Sequence, residues 1–210
     1  MTSDVPGRAR RDYSLAAAAF LELARQLDDD HWEQPGLGEW NVRDLVGHTS
    51  RSLITVEDYL DPTTTADQPE LPDVVAYYQA AAPLLVDGSA VTERGRRAGA
   101  ALGSNPVTTL VTLVDRVLAL VDGSDDAALV SSPMGTMTLI SYLDTRTFEL
   151  VVHTLDLAAA TDLKPPERLQ QPLIGCLRTA TDLAAANGQG AEVLLALTGR
   201  RPLRDGFSIL

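Results

Sequence analysis

Apolar residues recur every three or four positions through most of this chain, a spacing that favours α-helix over β-strand. The segments with this periodicity are 8–27, 41–60, 71–102, 106–122, 138–161 and 167–187. Asn41 is a favourable N-cap for the second segment, and Pro83 and Gly88 interrupt the third. Because no alternating apolar pattern of useful length predicts a strand, the expected fold class is all-α, a helical bundle.

Length and composition predict one domain. The chain has 210 residues, of which 45% are hydrophobic, and this is enough apolar surface for a core. There is no internal repeat and no low-complexity tract. We therefore expect a single domain over residues 1–210, with a short C-terminal helix and a polar tail from about residue 189.

Charge and cysteine usage indicate which classes of partner to exclude and which cellular compartment to expect. The net charge is −12, and the one basic cluster, R-G-R-R at 94–97, is too short for a nucleic-acid interface. The N-terminus lacks the apolar core of a signal peptide, and charge interrupts the apolar run at 16–25 too early for a membrane span. With Cys176 as the only cysteine, no internal disulfide can form. We expect a cytoplasmic protein with no nucleic-acid partner and no membrane partner.

The three histidines carry the strongest chemical signal in the sequence. His153 follows Glu149 by four residues in a helical segment, so the two side chains share one helix face. His48 lies in another helical segment. If these helices pack side by side, His48, Glu149 and His153 can form a metal site with two nitrogen ligands and one oxygen ligand. Such a set leaves a coordination position open, as catalytic metal sites do.

The residues alone leave another account of this cluster open. A Glu and a His four residues apart also form an ordinary helix-stabilising pair. A carboxylate at Glu149, among apolar neighbours, needs a counter-charge, and either a divalent cation or Arg146 can supply it. Asp44, one turn before His48, and Asp156, three residues after His153, are candidates to orient a ligand imidazole.

The remaining reactive residues favour structural roles. His31 lies in the loop sequence D-D-D-H-W, where we expect an exposed side chain that does not bind metal. Cys176 is surrounded by Leu173, Ile174 and Leu177, which predicts a small core residue rather than a nucleophile. No Ser-His-Asp order, glycine-rich phosphate loop or C-x-x-C motif points to a different chemistry.

Two motifs resemble those of a known family. The segment G-E-W-N-V-R-D-L-V-G-H-T at 38–49 resembles the W-t-v-r-d-v-l-a-H segment of the mycothiol-dependent maleylpyruvate isomerase family, part of the DinB-like metal-binding superfamily. The segment Y-L-D-T-R-T-F-E-L-V-V-H-T-L-D-L-A-A-A at 142–160 is similar to the family's R-x-x-E-x-x-x-H-x-x-D-l helix. The tail A-L-T-G-R-R-P-L at 196–203 also resembles the end of many members.

The resemblance implies a DinB-like four-helix bundle with additional C-terminal helices. It also implies a divalent metal, zinc, held by His48, Glu149 and His153, with mycothiol as co-substrate. Family members that isomerise maleylpyruvate carry a distinct C-terminal domain, whereas only about a dozen polar-rich residues follow Leu197 here. That departure argues against maleylpyruvate itself as the substrate.

The expected function follows from the metal and the thiol. A metal-bound thiol loses its proton at neutral pH, although the free thiol has a pKa of about 8.5. The thiolate then adds to an electrophilic small molecule, which makes the protein an isomerase or a thiol S-transferase. Arg146 is the candidate catalytic residue that orients an anionic substrate. The alternative is a metal-binding protein without thiol chemistry, either a non-catalytic module or a metal-dependent hydrolase. A homodimer is left open.

Overall fold

The computed structural model describes residues 5–65, 68–85 and 88–210. In chain order the described residues form α1 (Val5–Ala24), α2 (Val42–Tyr59), β1 (Leu60–Thr65), α3 (Val74–Leu85), α4 (Gly88–Ala101), α5 (Pro106–Asp122), β2 (Ala128–Ser132), β3 (Gly135–Thr138), α6 (Leu139–Thr161), a 3-10 turn (Glu167–Leu169), α7 (Gln170–Ala186) and α8 (Gly190–Leu197). The chain is therefore mostly helical, as its periodicity predicts. Residues 1–4, part of the segment expected to lack a signal peptide, lie outside the described residues.

Side-chain caps begin the two helices that carry the predicted metal ligands. The Asn41 Oδ1 atom accepts a hydrogen bond from the Asp44 backbone N–H at 2.9 Å, which confirms the predicted N-cap of α2. Thr138 caps α6 in the same way, accepting from the Ser141 N–H at 3.3 Å. These caps satisfy N–H groups that have no partner within the helix, and they determine where each helix begins.

The predicted segment 71–102 divides into two helices, but Pro83 does not end the first. The first helix, α3, continues through Pro83 to Leu85, and Gly88 begins α4. Residues 86 and 87, between these helices, lie outside the described residues. Pro83 is the tenth residue of α3 and is close to its C-terminal end, so few residues follow the backbone hydrogen bond that proline cannot make.

The expectation of no strands is wrong, because a small antiparallel sheet forms in the order β1-β2-β3. Strands β2 and β3 form a hairpin that pairs Leu129 with Thr138 and Ser132 with Gly135. Strand β1 continues directly from α2, and only its first residue, Leu60, is buried. Strands of four to six residues contain too few positions for an apolar alternation to stand out, and the sequence therefore gives no visible signal for this sheet.

Much of the buried core lies between α1, α2, α5 and α6. Helix α6 contacts α1 and α2, and both of these helices also contact α5. The largest side chains with no exposed surface there include Tyr13, Phe20, Leu53, Leu110 and Leu150. Burial of these side chains supplies the main favourable free energy of folding and holds α2 beside α6.

A close helix crossing holds α2 against α4. A Cβ atom added at Gly47 would lie 2.1 Å from the backbone nitrogen of Gly99, so these two backbones touch without intervening side chains. Only glycine allows that approach. Because His48 follows Gly47 directly, this crossing also determines where the His48 side chain lies.

The C-terminal helices pack on the outside of this core. Helix α7 contacts α1, α3 and α6, and α8 contacts α7. The tail then folds back, and its backbone carbonyls at Ile209 and Ser208 accept hydrogen bonds from Asn187 and Gln189. Helix α8 begins at Gly190, and the tail follows it from residue 198.

None of the described helices alone is long and apolar enough to cross a membrane. Helices α4 and α5, which meet at an angle of 101°, pass that test only as a pair, and only by length and composition.

Candidate metal centre

The three predicted ligand residues lie together in the folded chain. His48 projects from α2, and Glu149 and His153 project from α6, with one candidate ligand atom from each within 4.8 Å of the others. The His153 Nε2 atom is 3.3 Å from the Glu149 Oε2 atom, and the two imidazole rings lie edge to face with 4.8 Å between centroids. No other group of three His, Cys, Asp or Glu side chains in the described ranges comes this close.

Two neighbours orient the side chains on α6. The Nδ1 atom of His153 is 3.0 Å from the Asp156 Oδ2 atom and donates a hydrogen bond to it, while Nε2 faces Glu149. The Tyr78 hydroxyl, from α3, donates to the Glu149 Oε1 atom at 2.6 Å. The other carboxylate oxygen, Oε2, is left facing His153. Asp156 is thus one of the two predicted orienting acids, and it contacts the histidine on its own helix.

The second candidate acid, Asp44, does not orient His48. Its carboxylate lies on the side of α2 that faces α4, where a Cβ added at Gly99 would be 2.9 Å from the Asp44 Oδ1 atom. Asp44 and His48 have the expected helical spacing of four residues. Asp44 nevertheless lies against α4 at the close crossing and not beside the imidazole. Among the described residues, the side chain that packs on the His48 ring is the indole of Trp40.

Trp40 packs against His48, and residues of α4 fix the position of the Trp40 indole. The two ring centroids are 4.4 Å apart at an interplanar angle of 32°. The Trp40 Nε1–H group donates to the Thr92 carbonyl at 2.9 Å, and Gly95 leaves room for the indole. The buried His48 Nδ1 atom has no hydrogen-bond partner among the described residues. A buried imidazole nitrogen without a hydrogen-bond partner is unusual in a folded protein, and an imidazole that no protein group holds is free to bind a metal.

Burial and charge set the protonation states of the three groups. Burial, assisted by the charge of His153, lowers the pKa of His48 to about 3, so this imidazole is neutral. Burial would raise the pKa of Glu149, but His153, Arg146 and Tyr78 outweigh it and lower the value to about 2. For His153, burial is outweighed by Asp156 and Glu149, which raise the pKa to about 9. A cation that binds here would therefore replace the Nε2 proton of His153, next to a neutral His48 and an ionised Glu149.

Arg146 does not form the direct ion pair with Glu149 that the sequence left open. Its guanidinium donates to the Tyr77 hydroxyl and to the Thr145 Oγ1 atom, both at 3.0 Å. It also stacks on the ring of Tyr142, 5.0 Å from the centroid. No carboxylate of the described chain lies within 4.0 Å of it, although its charge does lower the pKa of Glu149. The neutralisation is therefore electrostatic and acts at longer range.

A cavity of about 550 Å³ adjoins the three candidate ligands. Its walls are side chains of α2, α3, α4 and α6, the β2–β3 turn, Trp40 and Leu210. Arg146, the predicted catalytic residue, lies in this wall. Sequence reasoning missed four lining residues that matter here: Arg51, Tyr77, Tyr78 and Tyr142. Arg51 follows His48 by one helical turn, which is a usable signal, whereas nothing in the sequence connects Tyr78 with Glu149.

The other two reactive residues lie outside this cavity. His31 is half-buried rather than exposed, and its Nδ1 atom is 2.6 Å from the Asp28 Oδ1 atom in the loop after α1. Cys176 is buried, and its thiol faces the Thr147 carbonyl at 3.9 Å. Burial raises the pKa of the Cys176 thiol to about 12. A thiol in this state is a core residue, as the sequence predicts.

Fold and site together define a helical protein with a candidate two-histidine, one-carboxylate metal centre beside a cavity. The sequence model of the family described as the mycothiol maleylpyruvate isomerase N-terminal domain matches residues 13–158. The chain belongs to this family. The matched range contains His48, Glu149 and His153, and α7 and α8 follow it. Searches of the curated proteins and of the solved structures found no significant match.

Proposed function

We propose that the protein is a metal-dependent enzyme that uses mycothiol to attack an electrophilic small molecule, as an isomerase or a thiol S-transferase. The observation that carries this proposal is the convergence of His48, Glu149 and His153 on one cavity in a member of this family. The proposal includes zinc as the metal, a DinB-like four-helix core made of α1, α2, α5 and α6, and a cytoplasmic location. The use of mycothiol is inferred from family membership, because a fold alone does not determine a reaction.

The donor set fits a zinc ion. Two imidazoles and one carboxylate are ligands that zinc accepts, and three protein ligands leave a position for a substrate or thiol. The state of His48 supports this fit, since its imidazole is neutral, as a metal ligand must be, and no protein group binds its Nδ1 atom. When bound, the metal would supply the positive charge that lowers the pKa of a coordinated thiol.

Neighbouring side chains already orient the candidate ligands through hydrogen bonds. Tyr78 holds one oxygen of Glu149, so only the other oxygen is directed at the centre. Asp156 accepts a hydrogen bond from the Nδ1 atom of His153, so Nε2 is the nitrogen directed at the centre. Neighbours of this kind orient ligands and commonly change metal affinity by about 10–100-fold. The adjoining cavity has the volume of an ordinary small-molecule site.

The test begins with the metal content of the tag-free protein, measured by elemental analysis. We expect about one zinc per chain, lost in His48→Ala and in His153→Ala. His31→Ala is the matched control, since His31 pairs with Asp28 outside the cavity, and it should keep its metal. A wild-type protein that contains no metal and takes up no zinc, nickel or iron would contradict the proposal.

The second stage tests the thiol. The zinc-loaded protein is incubated with alkyl halides, epoxides and enones, with and without mycothiol, and product is followed by mass spectrometry. We expect turnover only when both mycothiol and metal are present. Turnover that does not need the thiol would instead support a hydrolase, and a metal-loaded protein with no turnover would support a non-catalytic module.

A further inference from the structure

Large apolar side chains are concentrated on the outside of the two C-terminal helices. Among the described residues seven large hydrophobic side chains are exposed, and four of them lie on α7 and α8. Ile174 and Leu177 of α7 are 55% and 56% exposed, and Leu194 and Leu197 of α8 are 63% and 71% exposed. Single exposed leucines are ordinary, but such a concentration on one pair of packed helices is typical of a contact surface.

Helix α8 buries none of its own residues in the folded chain. Its sequence, G-A-E-V-L-L-A-L, has one charged residue, Glu192, which forms an ion pair with Arg204 of the tail. None of its eight residues is buried, although α8 packs on α7. A helix that is apolar on nearly all sides is normally covered in the folded protein. The exposed side of α8 therefore indicates that a partner covers it.

The exposed face of α7 changes from large to small side chains along the helix. It consists of two rows in which exposed residues are four apart: Ile174, Arg178, Asp182 and Ala186, and beside them Leu177, Thr181 and Ala185. The large apolar side chains lie in the N-terminal half, and the alanines lie in the C-terminal half. If two copies of α7 cross antiparallel about a two-fold axis near residue 180, each large half faces the small half of the other copy.

Two opposite charges lie at the centre of the same face. Arg178 and Asp182 are both exposed, and neither forms an ion pair within 4.0 Å with a described residue. They are four residues apart, but a basic residue that precedes an acidic one is the weaker order for a pair within one helix. The two-fold axis near residue 180 places Arg178 opposite the partner's Asp182, and this contact occurs twice. The face is thus complementary to itself in charge as well as in size.

We propose that the outer face of α7 and α8 is a homodimer interface, in which α7 packs antiparallel against α7 of a second copy of this chain. The exposed leucines of α8 add apolar area to this face. A lipid surface is a poorer partner, because anionic lipids repel a chain with a net charge of −12. The dimer is independent of the proposed chemistry, since no residue of α7 or α8 lines the cavity at the candidate metal centre.

Sedimentation velocity over a range of concentrations tests the association of the full chain. Helix α7 is only about 25 Å long, so the interface is smaller than a standard one, and we expect a dissociation constant in the micromolar range. The protein is measured from about 1 to 200 µM in about 0.15 M salt, which screens the repulsion between two acidic protomers. A shift from monomer to dimer across this range is expected. A protein that stays monomeric at the highest concentration would overturn the proposal.

Charge reversal identifies the face and the antiparallel arrangement. Arg178→Asp and Asp182→Arg should each weaken the dimer by about tenfold or more, because like charges then meet twice across the axis. An equimolar mixture of these two variants should associate again, since an acidic face then meets a basic one. A purely structural role of either residue within its own chain predicts no recovery on mixing. Arg97→Asp is the matched control, because it reverses an exposed charge on α4, and it should dimerise like the unmodified protein.

The apolar part of the interface has its own pair of variants. Leu177→Gln should weaken the dimer by about tenfold, because it removes apolar area from the centre of the face. Leu37→Gln is its control, since Leu37 is exposed in the loop before α2, and this variant should not change the association. Circular dichroism establishes that each variant is folded. A dimer that persists unchanged in Leu177→Gln and in both charge variants would use another face and would overturn the proposal.

Discussion

Replacing Gly47 with alanine should push α2 away from α4 and disturb the candidate metal centre. The added Cβ would lie 2.1 Å from the Gly99 backbone nitrogen, whereas ordinary contact begins at 3.4 Å. The helices must therefore separate by about 1.3 Å, the difference between these distances. Backbone atoms cannot rotate aside as a side chain can, so the strain is relieved only by moving a helix.

The cost can be estimated from overpacking. Extra methyl groups in a well-packed core typically cost about 1–3 kcal/mol, and a backbone neighbour favours the upper end, about 3 kcal/mol. The better helix propensity of alanine offsets about 1 kcal/mol of this loss in the free energy of unfolding. The net loss of about 2 kcal/mol in the free energy of unfolding should lower the Tm by about 4–8 °C in a domain of this size. Zinc affinity should fall as well, because His48 follows Gly47 directly.

Circular dichroism melts and a zinc competition titration measure both effects. Gly88→Ala is the matched control, because its added Cβ meets nothing within 4 Å and its φ is not positive. That variant should stay within about 0.5 kcal/mol of the unmodified protein. A Gly47→Ala protein that melts and binds zinc like Gly88→Ala would refute the close crossing of α2 and α4.

Three further outcomes are expected. Tyr78→Phe should weaken zinc binding by about 10–100-fold in a chelator competition, because the Glu149 carboxylate loses the bond that orients it, and an unchanged affinity would contradict this role. Gly95→Ala should displace the Trp40 indole, since the new Cβ would lie 2.6 Å from it, and the tryptophan emission spectrum should shift. Cys176, with its pKa raised to about 12, carries about one thiolate in ten thousand thiols at pH 8, so iodoacetamide should label it at a useful rate only near pH 12 or after unfolding. Fast labelling of the folded protein at pH 8 would contradict that burial.

The sequence contains enough information for the helices, because helical periodicity and caps are local. Asn41 and the segment that follows it predict α2 to within one or two residues, and the apolar pattern predicts α6 almost to its ends. Glu149 and His153 are four residues apart on one helix, so any fold that keeps α6 also keeps them together. The sheet escaped prediction because its strands have only four to six residues, too few for an apolar alternation to stand out.

The third candidate ligand depends on tertiary structure. His48 lies about a hundred residues before Glu149, and only the packing of α2 against α6 brings them together. The choice between Asp44 and Asp156 depends on the α2–α4 crossing, and the contact of Tyr78 with Glu149 depends on where α3 packs. The partners of Arg146 are two tyrosines and a threonine, and helical spacing alone had suggested Glu149.

The chain by itself thus determined its helices, the Glu-His pair and each motif of the family resemblance, since each of these depends on residues within a few turns of one another. Tertiary structure decided which side chains line the cavity, including Arg51, Tyr78 and Arg146. The physical reason is that helix periodicity is a property of neighbouring residues, whereas the angle and depth at which two helices pack is the sum of many small contacts across the whole core.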